Sequence, residues 1–190
     1  MPPRPVLVLT GPPAVGKSTT AHALAATRER CAVVDVDDVR RLVVSGGAAP
    51  WDGEEGRRQQ HLGVVNACAL ASSFTAADIE AVVADVLTTA TLGTYRERLD
   101  DVVVVHLTVT LEEAWHRAAS RTVWLTDDEF VALHRADAAL GAGADHTLDV
   151  TGLTPAEQVA AVDALWSTAL WAEPQRHAPP RSGTMDPDER

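Results

Sequence analysis

The chain of 190 residues has the length of one α/β domain, and its 46% hydrophobic content is enough to bury a core, which excludes a wholly disordered protein. Its 27 acidic residues outnumber the 16 lysines and arginines, and the resulting net charge of -11 repels nucleic-acid backbones and anionic membranes. No segment approaches the roughly 18 apolar residues of a membrane span or has the pattern of a secretory leader, so we expect a cytoplasmic protein that binds neither nucleic acid nor membranes.

The first part of the chain has the pattern of a strand–helix–strand unit. Val6–Leu9 is a short β-branched and leucine run bounded by proline and glycine, which predicts a buried strand. A helix is expected over Gly16–Arg28, where apolar residues recur on one face. A second buried strand is expected over Ala32–Val36, and its exit leads into a short helix. Such a unit joins two parallel strands.

The remaining chain repeats this alternation of strands and helices. Ser45–Gly53 has the glycine and proline content of a loop. The predicted elements after it are a helix over Glu54–Phe74, strands over Ile79–Ala84 and Val102–Val109, a helix over Leu111–Arg121, a strand over His146–Val150 and a helix over Pro155–Trp171. Thr154 is expected to cap the last helix, with Glu157 at its third position. The acid-rich stretch Thr122–Gly143 has no clear pattern, and residues 173–190 are expected to form a disordered tail.

Five strands alternating with helices predict an α/β fold in three layers, with a five-stranded parallel sheet and helices on both faces. We expect one domain over residues 1–172, with a lid at about 121–143. Ligands of such sheets bind at the carboxyl ends of the strands.

Between the first strand and the first helix lies a phosphate-binding pattern. Gly11–Ser18 reads GPPAVGKS and fits GxxxxGK[ST] in the strand–helix context that this pattern requires. Because its two prolines carry no backbone N–H, the donors must come from residues 14–19, next to the helix dipole. The predicted nucleotide-binding residues are Gly11, Ala14, Val15, Gly16, Lys17, Ser18 and Thr19. Lys17, the only lysine of the chain, would reach the β- and γ-phosphates of ATP, and Ser18 would bind Mg²⁺. A glycine-rich turn that only caps a helix is the alternative.

The motif resembles that of the P-loop nucleoside-triphosphatase superfamily and, within it, of the small-molecule kinases. The second strand ends in VVDVDDVRRL, and its Asp-Asp-Val-Arg resembles the DDxR arrangement of small P-loop kinases and polynucleotide 5′-kinases. The resemblance implies that Asp37 accepts the proton of the acceptor hydroxyl and that Arg40 steadies phosphate or acceptor. We expect this strand beside the phosphate-loop strand, so that its carboxylate faces the terminal phosphate. The alternative, which we favour for Asp35 and Asp38, is a solvated helix start with Asp38 as its cap.

Four more residues belong to the predicted site. Asp85 follows an apolar strand as a Walker B acid does, and would hold a water on Mg²⁺ or contact the acceptor, unless it only shapes a turn. Arg117 and Arg121 lie four residues apart and therefore on one helix face. In adenylate-kinase-like folds this helix leads into a lid whose arginines close over the phosphoryl group. That likeness implies a catalytic Arg121 and a nucleotide-binding Arg117, with exposed surface arginines as the alternative. Trp51 would stack on a flat acceptor.

The order of short segments also resembles the chloramphenicol phosphotransferase family up to about residue 172. The matching segments are VVDVDDVRRL, VVADVL, YRERLDD, VVVVHLTVTLEEAWHRAASR and HTLDVTGLTPAEQ. Members of that family transfer phosphate from ATP to a hydroxyl of an antibiotic, and the residue matching Asp37 is the base. The resemblance implies an ATP- and Mg²⁺-dependent kinase whose partner is a small-molecule hydroxyl acceptor, an antibiotic or another secondary metabolite.

Other functions use the same motifs. A nucleoside or nucleotide kinase would need the same machinery, and a non-catalytic ATP-binding switch would need only the phosphate loop. A polynucleotide 5′-kinase shares the DDxR arrangement, but the acidic balance of the chain argues against it. The patterns leave open the choice between ATP and GTP and the oligomeric state, a homo-oligomer included.

Two histidines are predicted to have different roles. His106 lies in an apolar strand and is expected to be a core histidine with its polar atoms bonded. His134, in the predicted lid, is a weaker candidate for substrate contact.

Overall fold

The computed structural model describes residues 4–119, 126–137 and 143–168. Arg121, parts of the predicted lid and the tail predicted at 173–190 lie outside the described residues. In chain order, the elements are β1 (Val6–Thr10), α1 (Lys17–Ala25), β2 (Cys31–Asp35), α2 (Val36–Arg41), α3 (Gly53–Thr75), β3 (Glu80–Ala84), α4 (Thr89–Arg98), β4 (Val102–Thr108), α5 (Leu111–Ala118), α6 (Asp127–Asp137), β5 (His146–Asp149) and α7 (Pro155–Thr168).

The five strands form one parallel sheet in the order β2-β3-β1-β4-β5, which confirms the predicted fold class. The prediction that β2 lies beside β1 is wrong, because β3 lies between them. The burial of the strands explains this order: all residues of β1 are buried, whereas only Val34 of β2 is, as suits an edge strand. Two strand spacings separate β2 from β1 by roughly 10 Å, so residues after β2 must reach across the end of β3 to meet the phosphate loop.

The sheet is covered on both faces because successive side chains of a strand point to opposite sides. On one face the strands pack against α3 and α4 in a core that includes Val8, Val34, Val83, Val104, Val64, Cys68 and Tyr95. On the other face they pack against α1 and α7 in a core that includes Leu7, Leu9, Val82, Val105, Leu24, Val162 and Trp166. Both cores leave the carboxyl ends of the central strands clear for a site.

Two helices occur where the sequence analysis assigned no element. α4 contains several threonines and a glycine, which have low helix propensity, so its helical pattern is weak. It is fixed instead by a capping box, in which the Thr91 amide donates to Thr88 Oγ1 at 3.2 Å and the Thr88 amide to Thr91 Oγ1 at 2.8 Å. Burial of Leu92 and Tyr95 against the sheet then overrides the propensity. α6 lies in the acid-rich stretch, and the three acids of its first turn suit the positive end of the helix dipole.

The predicted cap of α7 is confirmed. The Glu157 amide donates to Thr154 Oγ1 at 3.3 Å, and Glu157 Oε2 accepts from the Thr154 amide at 2.9 Å, which closes a capping box. The other strands and helices lie close to their predicted positions. Among the described residues, no helix is both long enough and apolar enough to cross a lipid bilayer.

Candidate active site

A cleft of about 1020 Å³ opens at the carboxyl edge of the sheet. Its walls come from the phosphate loop, α2, the loop before α3, the turn after β3, and α6. Of the predicted site residues, the cleft is lined by Ala14, Gly16, Lys17, Ser18, Thr19, Asp37, Arg40 and Trp51. The phosphate loop and the acid after β2, which are twenty residues apart in sequence, therefore face one space.

The backbone of the phosphate loop requires glycine at its start. Gly11 has φ 144°, and a Cβ at this position would lie 2.3 Å from the carbonyl oxygen of Leu107 on β4. Ala14 has φ 63°, a left-handed conformation that costs free energy for a residue with a side chain. The loop thus turns tightly against the sheet before α1 begins, and the first-turn amides of α1 have no intrahelical partner. These amides are the donors that an anion at the helix start would use.

Lys17 extends along the inside of this loop. Its Nζ donates hydrogen bonds to the carbonyl oxygens of Gly11 at 2.8 Å and Pro12 at 3.1 Å. Burial lowers the pKa of Lys17, and nearby carboxylates oppose this, Asp37 most strongly and then Asp137, Asp85 and Asp35. The ammonium is therefore held among oxygen atoms at the base of the cleft.

Two side chains support the loop from behind. Gln158 of α7 donates through Nε2 to the Val15 carbonyl oxygen at 3.2 Å and to Thr20 Oγ1 at 2.8 Å. Arg117 of α5 donates to the same Val15 oxygen at 3.2 Å, to the Val150 oxygen at 2.8 Å and to Glu113 at 2.9 Å. These contacts give Arg117 a part in fixing the loop, and it does not line the cleft, whereas the sequence predicted a nucleotide contact.

A chain of hydrogen bonds joins the phosphate loop to α2. Ser18 Oγ donates to Asp35 Oδ2 at 2.6 Å, and Asp35 Oδ1 accepts from the Asp37 amide at 3.0 Å. Asp35 is thus the cap of α2, so the prediction of Asp38 as the cap is wrong. Asp35 also reaches the loop serine, a contact that the sequence analysis missed. A signal was present in the sequence, since Asp35 is the last residue of a strand that ends at the same edge as β1.

The next acid, Asp37, faces the cleft from the first turn of α2. Its Oδ1 accepts from Arg40 Nη2 at 2.8 Å, and its side chain remains 56% exposed. Asp38 forms the corresponding pair with Arg41 but is not among the residues that line the cleft. The helix therefore presents one of its two acids to the site and turns the other to solvent.

Asp85, predicted to contact metal or acceptor, is buried below the cleft and does not line it. Its Oδ2 accepts from the Tyr95 hydroxyl at 2.9 Å, and its Oδ1 accepts from the Val86 amide at 2.7 Å. Burial raises the pKa of Asp85 to about 7, although the bonds from Tyr95 and Val86 lower it. In this arrangement Asp85 fixes the turn whose next residues, Val86–Thr89, form one wall of the cleft.

The substitution Asp85→Asn is expected to stabilise the protein at about pH 8 by at most about 4 kcal/mol, since each pKa unit corresponds to about 1.36 kcal/mol. The folded state binds the Asp85 proton more tightly than the unfolded state, in which the pKa is near 3.9. Stability of the unchanged protein therefore falls as pH rises from about 4 to about 7 and then levels off. Urea unfolding at several pH values measures the difference, which should shrink towards about pH 4. A difference that stays constant with pH would contradict a raised pKa.

The outer part of the cleft is apolar. Trp51 is 55% exposed and lines the cleft together with Val43 and Pro50, at the place predicted for the acceptor. α6 also contributes two lining residues, the half-buried Leu133 and the buried Asp137, whose side chain bonds to His106. An exposed ring beside a cleft has a free face on which a flat molecule can stack.

Ser18 and Asp35 are the side chains that could hold Mg²⁺ with a bound triphosphate. Their oxygens lie 2.6 Å apart at the start of α1, and a hydroxyl with a carboxylate suits this hard cation. Across the described ranges, no group of three or more His, Cys, Asp or Glu side chains could hold a metal ion by itself. The donor set fits Mg²⁺, because this ion commonly takes one or two protein ligands and completes its shell with water and phosphate oxygens.

Residues 7–125 match the family model described as an AAA domain. This range begins in β1 and includes the phosphate loop, Asp37 and Asp85. No curated protein sequence was found to match the chain.

Solved structures with the same fold include several small-molecule kinases. A sugar kinase from a Janibacter species has a TM-score of 0.68 and 17% identity, with 88% of this chain and 96% of that chain covered. A gluconokinase from Sinorhizobium meliloti has a TM-score of 0.61 and 17% identity, covering 89% and 97%. The tunicamycin resistance protein of Deinococcus radiodurans has a TM-score of 0.64 and 19% identity, covering 85% and 95%. The chain therefore has the fold of the small-molecule P-loop kinases.

Proposed function

We propose, from the premise that this chain belongs to the AAA domain family, that it is a kinase which transfers the terminal phosphate of ATP to a hydroxyl of a small molecule. One observation carries the proposal: the loop ammonium of Lys17 and the carboxylate of Asp37 face the same cleft. Asp35 joins the phosphate loop to α2, because it accepts hydrogen bonds from Ser18 Oγ at 2.6 Å and from the Asp37 amide at 3.0 Å. A phosphate held at the loop and a hydroxyl held at α2 would then meet.

In the proposed reaction, Asp37 orients the attacking hydroxyl and accepts its proton as the hydroxyl oxygen bonds to the terminal phosphorus. The bond from that phosphorus to the nucleoside diphosphate breaks on the opposite side. Lys17 balances the negative charge of the transferring group, and the first-turn amides of α1 hold the phosphates that stay behind. Mg²⁺, when bound at Ser18 and Asp35, supplies further positive charge at the phosphate oxygens. Catalysis would come mainly from positioning and charge balance.

The charge of the cleft supports an acceptor without a strongly anionic group. Both arginines of α2 that line the cleft are paired with acids of the same helix, Arg40 with Asp37 and Arg41 with Asp38. In the part of the chain that the structure describes, this leaves Lys17 as the lining cation that is not in an ion pair, and it belongs to the phosphate loop. An added carboxylate or phosphate on the acceptor would therefore meet mainly acids here.

The resemblance to chloramphenicol phosphotransferases supports an antibiotic or another secondary metabolite as the acceptor. The apolar rim at Trp51, Val43 and Pro50 supports an acceptor with a flat apolar part beside its hydroxyl. Acceptors of the kind named for structural neighbours, such as sugars and gluconate, belong to the same reaction class and serve as comparisons.

The substitution Trp51→Ala is expected to raise KM for the acceptor by about tenfold, because loss of a stacking ring removes roughly 1 to 2 kcal/mol of binding. The maximal rate and KM for ATP should stay within about twofold, since Trp51 lines the cleft from the loop before α3 and is not part of the phosphate loop. Steady-state kinetics with each substrate varied in turn measures this. Leu42→Ala is the matched control, because Leu42 is an exposed apolar residue of the same segment that does not line the cleft. An equal effect of both substitutions would remove Trp51 from the acceptor site.

Mass spectrometry of an acceptor panel tests the proposed function. The chain is incubated with Mg²⁺ and ATP together with antibiotics, other hydroxylated metabolites, sugars, sugar acids or nucleosides, and the products are examined for the gain of one phosphoryl group. Modification of a hydroxyl in the first two classes is expected. Transfer to nucleosides alone would assign a nucleoside kinase instead, and bound ATP without transfer to any acceptor would leave a nucleotide-binding switch. A parallel series with GTP gives the nucleotide preference.

A further inference from the structure

One face of α6 contacts the phosphate loop and the strand beside it. Phe130, His134 and Asp137 lie at spacings of four and three residues and therefore share one side of the helix. We call these three residues the α6 contact face. Their partners are residues of the phosphate loop, α5 and β4. The three residues of the α6 contact face have no part in the proposed transfer.

The deepest contact of this face is a buried hydrogen bond to the sheet. His106 Nε2 of β4 lies 2.7 Å from Asp137 Oδ2, and the two side chains are 2% and 5% exposed. His106 pairs in register with Thr10, the residue that precedes Gly11 of the phosphate loop. The bond therefore fixes the end of α6 directly beside the start of that loop. His106 is buried, as the sequence predicted, but within the described residues only Nε2 is bonded, so the prediction that all its polar atoms are bonded is wrong. Its partner comes from a helix that the sequence did not show.

The other two residues of the face contact the loop itself. His134 Nε2 donates to the carbonyl oxygen of Pro13 at 3.1 Å, and burial lowers the pKa of His134, which favours the neutral ring. Phe130 packs with Ala14 of the loop, and its ring stacks on Trp115 of α5 at 4.3 Å between centroids. Lys17 donates to the carbonyl oxygens of Gly11 and Pro12, and His134 to that of Pro13, so three successive carbonyl oxygens of the loop accept hydrogen bonds. The loop is thus held through these three successive carbonyl oxygens.

The buried pair of His106 and Asp137 stabilises the core poorly, because two of its polar atoms have no partner among the described residues. In the described part of the chain, His106 Nδ1 and Asp137 Oδ1 are buried without a hydrogen-bond partner, and each such atom costs free energy. Apolar side chains of similar size would often serve stability as well or better. What a directional bond adds is one defined position of α6 against β4, because only one placement of the helix satisfies it.

We propose that His106 and Asp137 are positioning residues, which hold the α6 contact face against the phosphate loop in the geometry that binds the phosphates of the nucleotide. This positioning role rests on the proposed function in one respect, namely that the ligand of the phosphate loop is a nucleotide. Without the buried bond, α6 samples positions in which Pro13 and Ala14 lose their contacts. Only the fraction of molecules with the ordered loop then binds nucleotide, and the apparent affinity falls by that fraction.

The kinetic consequence differs from that of a general loss of stability. Asp137→Ala and His106→Leu are expected to raise KM for ATP by about tenfold, with the maximal rate and KM for the acceptor within about twofold. His106→Gln is expected to restore most of the affinity, because the Gln side-chain amide can donate from the place of Nε2. Tyr95→Phe is the matched control, since it also removes a buried hydrogen bond to a carboxylate, but one that joins α4 to the turn after β3 and involves no residue of α6. It should lower the melting temperature similarly and leave the affinity for nucleotide unchanged.

Calorimetric binding of Mg²⁺-ADP to each full-length variant tests the proposal without requiring phosphate transfer. A weaker Kd in Asp137→Ala and His106→Leu, with recovery in His106→Gln and no change in Tyr95→Phe, is the expected result. Unchanged Kd values in folded Asp137→Ala and His106→Leu would overturn the positioning role, whatever the acceptor panel shows. Conversely, if the Kd values are as expected but no acceptor is phosphorylated, the proposed kinase activity is rejected and the positioning role stands. If the two disruptive variants fail to fold, His134→Ala decides, because it removes the bond from the same helix face to the Pro13 carbonyl oxygen. An unchanged Kd in that folded variant would equally overturn the proposal.

Discussion

Replacing Lys17 with alanine is expected to lower the rate of phosphate transfer by at least about 100-fold, the usual loss when one preorganised charge contact to the reacting group is removed. The ammonium is the cation of the phosphate loop and the only lysine of the chain, so no neighbouring lysine can take its place. Its Nζ now bonds two loop carbonyls, and a triphosphate would offer it oxygens of full negative charge. Initial rates with a modified acceptor from the panel measure the loss.

Two further substitutions separate the role of this contact from that of net charge. Lys17→Arg keeps the charge but replaces a compact ammonium with a planar fork, so only partial activity is expected. Arg41→Ala removes a positive charge from the same cleft at a residue already paired with an exposed acid, and should retain more than about a third of the rate. If Lys17→Ala were as active as Arg41→Ala, the loop would not be the site of the transferring phosphate.

The phosphate loop could be predicted from the sequence because all of its parts are local. Eight consecutive residues contain the glycines, the lysine and the serine, and the flanking patterns of strand and helix fix their context. The capping box at Thr154 and Glu157 was predictable for the same reason, since its partners are three residues apart. Parallel strands with helical connections likewise follow from the alternation of patterns along the chain.

The features that could not be predicted from the sequence depend on contacts between residues that are distant along the chain. The position of β3 between β1 and β2 is decided by burial of whole strands, and no single segment carries that information. Asp85 has the sequence of a Walker B acid, but its role depends on Tyr95, which lies on a helix of weak propensity. The bond of His106 to Asp137 joins a strand to an acid-rich helix 31 residues away. Periodicity describes the face of one element and does not identify the partner of a buried polar atom.

The pairing of Asp37 with Arg40 decides how the proposed base can be tested. Arg40 donates to Oδ1, so one carboxylate oxygen is oriented by the arginine while the side chain as a whole remains half exposed to the cleft. The second oxygen is then the one that can accept a proton from a hydroxyl. An asparagine can keep the bond from Arg40 through its own oxygen, and it then presents an amide N–H₂ where the proton should go. The substitution therefore removes the proton acceptor with little change in shape.

Asp37→Asn is accordingly expected to lower the maximal rate by about 100-fold to 1,000-fold, within the range that general-base catalysis contributes, while KM for ATP changes by less than about threefold. Asp38→Asn is the matched control because Asp38 is the next residue, forms the same kind of pair with Arg41, and is 72% exposed outside the cleft. The control should keep nearly the full rate, since its carboxylate faces solvent and not the acceptor. Single-turnover measurements with saturating ATP isolate the transfer step from product release. Equal rates for the two asparagine variants would mean that the hydroxyl loses its proton elsewhere, and the acid after β2 would then serve only to position Arg40.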